Sequence, residues 1–410
     1  MLIHKVTAGF GAIAIFIAAP VFAQAQAPAP AGTQAPSGAP TPPGGIPVGP
    51  LTVFPAVDLA VGHDDNLFLR PTNRSASSFT VLSPSLRAEL LSGPNKFGFG
   101  LRIDDGRYAS SAADHYTDYS FNGSGNMEFS GRTRLALRAE ARHGHDPRGS
   151  TDRAVAGSPD EYDNTGVGGT FSYGAAGARG RIEIDASAFA RRYTNNRAST
   201  VVSDHDTTQL GGTFYWRVMP RTELLAQAVH TNFNYTLGAS TQDSAENRYL
   251  VGVKWEATAK TTGTAKFGIQ DKKFDSATRE NVPRSSSWDV GVRWSPLSYS
   301  VFDLNTAKQT SESTGVGDAV VGETYNALWS HAWSSRLRTQ VGANYGISSF
   351  TGATGLSRKD QLTSFSLGVA YDFRRWLRFG ADISHSERDS NIDTFDFKRN
   401  LLRFTVGATL

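Results

Sequence analysis

The chain has 410 residues, no cysteine, and 41 Lys and Arg against 38 Asp and Glu, which leaves a formal net charge of +3. The lack of cysteine excludes disulfide scaffolds, thiolate metal sites, iron–sulfur clusters and cysteine nucleophiles. The mean hydropathy of −0.33 excludes a bundle of membrane helices, since each helix would need roughly 20 consecutive apolar residues, and the near-neutral charge does not indicate a nucleic-acid partner.

Residues 1–23 have the pattern of a secretory signal peptide. Lys5 supplies a positive charge, residues 6–17 form an apolar stretch, and Val21 and Ala23 are the small residues expected on the N-terminal side of a cleavage site. Because the apolar stretch is too short to anchor the chain in a membrane, we expect it to be removed and the mature protein to be exported.

Residues 24–51 are predicted to be a disordered linker. Residues 24–50 contain eight prolines, mainly among Ala, Gly, Gln, Ser and Thr, and no charged side chain. A segment of this composition cannot bury a hydrophobic core and behaves as a semi-extended tether. We therefore expect the mature chain to begin with a flexible tether that is long enough to reach a periplasmic partner.

From residue 52 to residue 410 the sequence consists of alternating runs separated by polar segments. At the C-terminus Leu402, Phe404, Val406, Ala408 and Leu410 alternate with polar residues or glycine, so one face stays apolar to the last residue. This period of two is typical of β-strands with one apolar face. The same period recurs in residues 97–103, 135–141, 182–190, 288–294, 365–373 and 377–383.

A hairpin repeat of about 40 residues runs through this region. It is marked by the last apolar or aromatic residue before each tight turn, namely Leu90, Phe129, Tyr173, Trp216, Trp255, Trp294, Trp333, Phe373 and finally Leu410. Each interval holds two strands, so the repeat predicts an all-β fold of about 18 strands. Short turns at one end and long polar loops at the other are typical of antiparallel up-and-down barrels of bacterial outer membranes. We predict such a transmembrane β-barrel, in the outer membrane of a Gram-negative bacterium, with both termini on the periplasmic side.

The alternative is a secreted soluble sandwich, barrel or propeller. In those folds large aliphatic side chains fill the interior, and the other face is rich in lysine. Here the polar faces carry Gly, Ala, Ser, Thr and paired Arg and Asp, while aromatic residues recur beside the short turns. We predict a girdle at the membrane interface, and not a row of sugar-stacking sites, for Trp216, Trp255, Trp294, Trp333 and Phe373.

Several short motifs follow the pattern of one protein family. They are residues 57–68 (VDLAVGHDDNLF), 82–86 (LSPSL), 290–296 (VGVRWSP), 302–305 (FDLN) and 312–313 (ES). In these motifs the chain resembles the putative beta-barrel porin 2 family and related outer-membrane proteins associated with exopolysaccharide synthesis. One departure is His63, where the family usually has tyrosine. The resemblance covers about residues 52–410 and implies an outer-membrane barrel, often encoded with polysaccharide machinery, without catalytic residues.

The sequence predicts no catalytic, cofactor or metal site. It has no Gly-x-Ser-x-Gly elbow, no His-Glu-x-x-His zinc motif and no phosphate-binding Gly-Lys-Ser/Thr loop. The pair His143 and His145 is better explained as exposed polar residues at a loop edge than as a metal site. Likewise, the acidic segments 64–66 and 104–105 are better explained as turns than as calcium ligands.

The polar faces of the strands are predicted to line a water-filled lumen, because barrels of 16 to 18 strands enclose an aqueous channel. Basic side chains outnumber acidic ones there, which would attract anionic solutes modestly. The same charges would also brace neighbouring strands by ion pairing. The predicted pore-lining residues are Arg87, Arg102, Arg138, Arg142, Arg181, Asp185, Lys266, Asp289, Arg293, Arg338, Arg378 and Asp382.

The function expected from this reasoning is a conduit in the outer membrane that takes part in exopolysaccharide export. The alternative is a general diffusion porin for small, mildly anionic solutes. A non-conducting scaffold or adhesin comes next, and an outer-membrane hydrolase last. The expected partners are outer-membrane lipid, the exopolysaccharide chain and periplasmic components of polysaccharide export, with no nucleic acid and no cofactor.

Overall fold

The computed structural model describes residues 45–410, except residues 154–156, 176, 259, 314–316 and 353–356. The predicted signal peptide and most of the predicted linker lie outside the described residues. In the described part of the chain, no helix is long and apolar enough to cross a membrane. The helical segments are short: Ala112–Asp114, Arg197–Thr200, Val201–Ser203 and Asp393–Phe395.

The described chain is almost entirely β-structure. The first ten strands are β1 Ile46–Val48, β2 Leu51–Asp64, β3 Ser77–Ser92, β4 Asn95–Tyr108, β5 Tyr116–Ser130, β6 Thr133–Asp146, β7 Asp160–Tyr173, β8 Gly180–Tyr193, β9 His205–Met219 and β10 Thr222–Tyr235. The remaining strands are β11 Ser244–Thr258, β12 Thr261–Phe274, β13 Val282–Leu297, β14 Ser300–Glu312, β15 Ala319–Ala332, β16 Leu337–Thr351, β17 Lys359–Arg374, β18 Leu377–Ser390 and β19 Phe397–Thr409. Strands β2 to β19 are each long enough for a tilted membrane crossing, which needs about 9–11 residues.

Strands β2 to β19 form a closed ring. Each pairs antiparallel with the next, and β19 returns to β2 in a register that runs from Leu401 opposite Asp64 to Thr409 opposite Ala56. The closure leaves no unpaired edge among these strands, which a membrane requires because lipid cannot satisfy backbone polar groups. The prediction of an antiparallel barrel of about 18 strands is confirmed.

The short strand β1 lies within the segment that was predicted to be a linker. Ile46, Pro47 and Val48 pair with Val53, Thr52 and Leu51 of β2. The turn between them contains Gly49 at φ 60, a left-handed conformation that glycine adopts without steric cost. Local turn chemistry therefore extends the sheet into a proline-rich segment whose composition alone predicts disorder.

The outer face of the ring is a continuous band of exposed hydrophobic side chains. Examples are Leu101 (51 % exposed), Val167 (60 %) and Phe404 (51 %). The buried hydrophobic residues form only small clusters near the loop ends of the strands, such as Leu69 with Phe397 and Phe274 with Val282. A soluble protein would have the opposite distribution, since contiguous exposed apolar surface of this extent is not tolerated in water.

The predicted girdle residues lie beside the short turns. Trp216, Trp294, Trp333 and Phe373 are exposed, and Trp255 is half-buried. Neighbouring rings pack against several of them, with Trp294 stacked on Phe302 at 5.1 Å between ring centroids. Their depth in a membrane stays a prediction.

Candidate functional site: the narrowed mouth of the barrel

The long loop 147–159, between β6 and β7, is held against two neighbouring loops at its start. Arg148 donates from Nε to Asp114 Oδ1 at 2.8 Å, and its guanidinium carbon lies 4.1 Å from the centre of the Phe68 ring. The hydrogen bond to Asp114 raises the pKa of the Arg148 guanidinium, so this residue stays charged. Gly149 follows at φ 81, and a Cβ there would collide with the Phe68 carbonyl oxygen.

Further along the same loop, Arg153 binds the wall formed by β6, β7 and β8. Its Nη2 donates to Asp160 at 2.9 Å and to Asp146 at 3.3 Å. Asp146 is fully buried and also accepts hydrogen bonds from Arg191 at 3.2 Å and from the Tyr193 hydroxyl at 2.8 Å. Two arginines and two carboxylates thus neutralise one another at the loop end of these strands.

The residue before Arg153 contacts the opposite wall. Asp152 accepts a hydrogen bond of 2.6 Å from Nη1 of Arg358, which immediately precedes β17. Loop 147–159 follows β6, and β17 lies about halfway around the ring. We call this contact between Asp152 and Arg358 the loop bridge. It joins opposite sides of the barrel and narrows the lumen at the long-loop end.

Arg358 is itself fixed against its own wall. Its side chain is 1 % exposed and its Nε donates to Asp360 Oδ1 at 2.9 Å. The guanidinium lies between two aromatic rings, 3.5 Å from the centre of Phe395 and 4.3 Å from that of Phe350. Planar stacking and bidentate pairing are the contacts that favour arginine over lysine.

A further loop, residues 65–76, is held against β19 by the acidic segment 64–66. The backbone N–H of Asn66 donates to Asp64 Oδ1 at 2.9 Å, and the Asn66 side chain donates to the Lys398 carbonyl at 2.9 Å. Arg399 donates to the other oxygen of Asp64. Leu69 then packs against Phe397. The segment forms a turn stabilised by β19.

Charged residues also connect strand ends and loops on the other side of the mouth. Lys272 is fully buried, forms an ion pair with Glu312, and lies 4.0 Å from the centre of the Phe233 ring. The Tyr235 hydroxyl donates to Glu312 at 2.5 Å. A separate ion pair, Arg279 with Asp318, joins two neighbouring loops. The long-loop end of the barrel is therefore densely packed with paired charges and aromatic rings.

The residues predicted to line the pore occupy strand positions that alternate with the exposed hydrophobic residues of the outer face. Contact of these side chains with a conducting pore stays a prediction. The structure brings many of them into ion pairs. Arg102 pairs with Asp104 at 2.8 Å and Asp58 at 3.7 Å, Lys266 with Asp289 at 2.6 Å, Arg293 with Asp303 at 2.7 Å, Arg142 with Asp118 at 3.8 Å, and Arg87 with Glu89 at 3.8 Å.

Two arginines share a single carboxylate near the short-turn end. Arg338 and Arg378 each lie 2.7 Å from an oxygen of Asp372. Elsewhere on the inner face, Asp382 forms an ion pair with Arg403 at 3.4 Å, and Asp185 accepts a hydrogen bond from the Thr170 hydroxyl at 2.5 Å. Arg181 forms ion pairs with Glu183 and, at 3.2 Å, with Glu223. The Arg138 side chain lies against Gly168.

Sequence reasoning missed two groups of residues in this region. The carboxylates Asp58, Asp118 and Glu223 were not assigned to the inner face. For Asp58 a signal was present, because it alternates with apolar residues in the same way as Ala56 and Ala60. They offset part of the predicted excess of basic residues. The loop bridge had no sequence signal, because loop residues follow no period.

His143 and His145 do not share a ligand. His143 lies 2.7 Å from Asp163 and His145 lies 2.8 Å from Asp118. Across the described ranges, no group of three His, Asp or Glu side chains is placed to hold a metal ion.

The sequence matches one protein family, and the structure is similar to several solved outer-membrane proteins. The family model described as putative beta-barrel porin 2 matches residues 39–410. No curated protein matches the sequence. The structure is similar to that of OpdK from Pseudomonas aeruginosa with vanillate, at 13 % identity and a TM-score of 0.49, covering 87 % of this chain and 99 % of that one.

Two further solved structures have comparable similarity. A BenF-like porin from Pseudomonas fluorescens Pf-5 has 11 % identity and a TM-score of 0.47, with 88 % of this chain and 100 % of that chain covered. OccAB3 from Acinetobacter baumannii has 11 % identity and a TM-score of 0.46, with 87 % and 99 % covered.

Proposed function

Because the chain belongs to the putative beta-barrel porin 2 family and is a protein of the Gram-negative outer membrane, we propose that it is a passive channel for small polar solutes. Outer-membrane lipid is then the partner of its exposed hydrophobic band.

The inner face supports a water-filled lumen. The side chains of Arg87, Arg102 and Asp58 are 52 %, 41 % and 40 % exposed, which means that water reaches them within a ring of 18 strands. A ring of this size encloses more space than its side chains fill. Charged groups that line water retain most of their hydration, and ions can pass beside them without the cost of entering hydrocarbon.

The loop bridge is the observation that favours small solutes over a polymer. A polysaccharide strand would pass the mouth only if Asp152 separated from Arg358, whereas a small solute needs only the space beside the bridge. Export of an exopolysaccharide remains the second candidate, and its support is the family resemblance. In that case the predicted linker would contact periplasmic components of the export machinery.

The arrangement of charges favours weak anion selectivity. Most inner-face arginines and lysines have a carboxylate partner, and paired charges produce little field at a distance. The excess of positive charge lies near the short turns, where Arg338 and Arg378 share Asp372, and where Arg87 and Lys96 both lie within 4 Å of Glu89. We expect a modest preference for anions that disappears at high salt.

The experiment is conductance of the purified protein in planar lipid bilayers, together with swelling of liposomes in solutes of increasing size. We expect discrete current steps, a reversal potential that favours chloride slightly in a KCl gradient, and entry of monosaccharides with exclusion of dextran. Absence of current would contradict the channel. A deletion strain that loses its secreted polymer but keeps normal permeability to small solutes would favour export instead.

A further inference from the structure

The inner wall across β14 to β18 carries an uncharged row at mid-height. Asn305 lies opposite Asn326, Asn326 opposite Asn344, Asn344 opposite Ser364, and Ser364 opposite Ser386. We call these five residues the amide strip. With neighbouring strands about 4.8 Å apart, the strip extends roughly 19 Å around the wall. It is therefore long enough for several hydrogen bonds to one solute.

The register places the amide strip on the inner face. On the same strands Tyr325, Tyr345 and Phe365 point outward and are 40 %, 36 % and 57 % exposed. Residues next to these in sequence, including Asn326, Asn344 and Ser364, must face the other way because successive side chains of a strand alternate. The strip thus borders the lumen below the loop bridge.

Charged residues lie above and below the strip, but not beside it on β15 to β17. Toward the short turns, the next inward residues on these three strands are Leu328, Gly342 and Ser366, and toward the loops they are Thr324, Gly346 and Leu362. The nearest ion pairs along β16 and β17 are Arg338 with Asp372 below and Arg358 with Asp360 above. This part of the wall offers a solute hydrogen bonds without fixed charge.

The amides of the strip have hydrogen-bonding capacity to spare. An asparagine side chain has two donors and an acceptor with two lone pairs. Asn344 donates one hydrogen bond to Asn326, which leaves the other donors of both amides directed to solvent or solute. Asn305 is exposed, and within the described ranges its side chain is assigned no hydrogen bond. Leu328, on the adjacent row, is 37 % exposed.

We propose that the amide strip binds neutral hydroxylated solutes, such as small saccharides, as they pass through the pore. Amides and hydroxyls match the paired donor and acceptor character of sugar hydroxyls, and Leu328 offers an apolar contact to the C–H face of a sugar ring. A charged solute gains less on β15 to β17, because no charged residue next to the strip there compensates its lost hydration. The inference rests on the proposed channel function and names its solute class.

The test is block of ionic current by the neutral trisaccharide raffinose, with the full chain in planar bilayers. The double variant Asn326→Leu with Asn344→Leu should need about fivefold more raffinose for half-maximal block, the factor that one net hydrogen bond contributes to a binding constant. The matched control is Asn122→Leu with Asn126→Leu on β5, since these amides also face inward but lie about halfway around the ring.

The outcomes separate this inference from the channel function. Block that weakens in the strip variant and not in the control supports the strip. If raffinose does not block the wild-type current, the strip is overturned and the channel function stands. The same holds if the raffinose concentration for half-maximal block shifts equally in both variants. If the wild type carries no current, the channel is refuted, and calorimetry of raffinose binding to the same three proteins decides the strip. The strip is overturned unless its variant alone loses binding.

Discussion

Replacing Arg358 with methionine should release loop 147–159 from the far wall. The substitution keeps an unbranched side chain of similar length but removes the guanidinium that pairs with Asp152 and Asp360. The side chain is 1 % exposed, so water cannot replace the lost contacts while the loop stays docked. Asp152 and Asp360 would then lose the one guanidinium that contacts both of them.

The magnitude follows from the cost of breaking a buried ion pair by removing one partner, about 3–5 kcal/mol. This corresponds to a shift of roughly 10² to 5 × 10³ in the equilibrium between docked and released loop. The ring itself should stay folded, because none of its ladder hydrogen bonds involves the Arg358 side chain. We therefore expect a larger single-channel conductance and a higher size limit for permeating sugars.

The assay compares conductance and liposome swelling for Arg358→Met with a matched substitution. Arg107→Met removes an arginine of a similar carboxylate pair, but Arg107 is 53 % exposed and Asp105 is 32 % exposed. Water reaches both side chains, so this control should behave as wild type. A folded Arg358→Met protein with unchanged conductance and unchanged size limit would refute the idea that the loop bridge narrows the mouth.

Three further predictions concern other residues of the loop and of the barrel wall. Gly149→Ala should make loop 147–159 more sensitive to protease, because it forces a side chain into a left-handed and crowded position. In the control Gly93→Ala, the glycine has φ 59 but a Cβ would meet open space, so cleavage should change little. Lys272→Met should lower the free energy of unfolding by about 3 kcal/mol or more, measured by urea titration, and adding Glu312→Gln should recover much of the loss. Asp372→Asn should shift the reversal potential in a KCl gradient toward chloride, because the two arginines that share this carboxylate lose their counter-charge; an unchanged potential would mean that these arginines do not face the ion path.

The strand pattern of this protein was readable from its sequence. In residues 402–410 the apolar side chains recur every second position, and this period alone decides which face each side chain occupies. The hairpin repeat placed the ends of strands near Trp216, Trp294 and Trp333, and the structure ends β9, β13 and β15 within a few residues of them. Short-range rules succeed here because pairing between consecutive strands is itself local.

Only the tertiary structure decided which charges meet. Asp58 pairs with Arg102, two strands farther along the sheet, and Arg378 shares Asp372 with Arg338, so the balance of charge along the lumen depends on neighbours from several strands. Asp152 and Arg358 are 206 positions apart and lie in segments without periodicity. Their contact exists because β19 returns to β2 and brings opposite walls to a fixed separation. No sequence pattern within either loop encodes the separation between these walls.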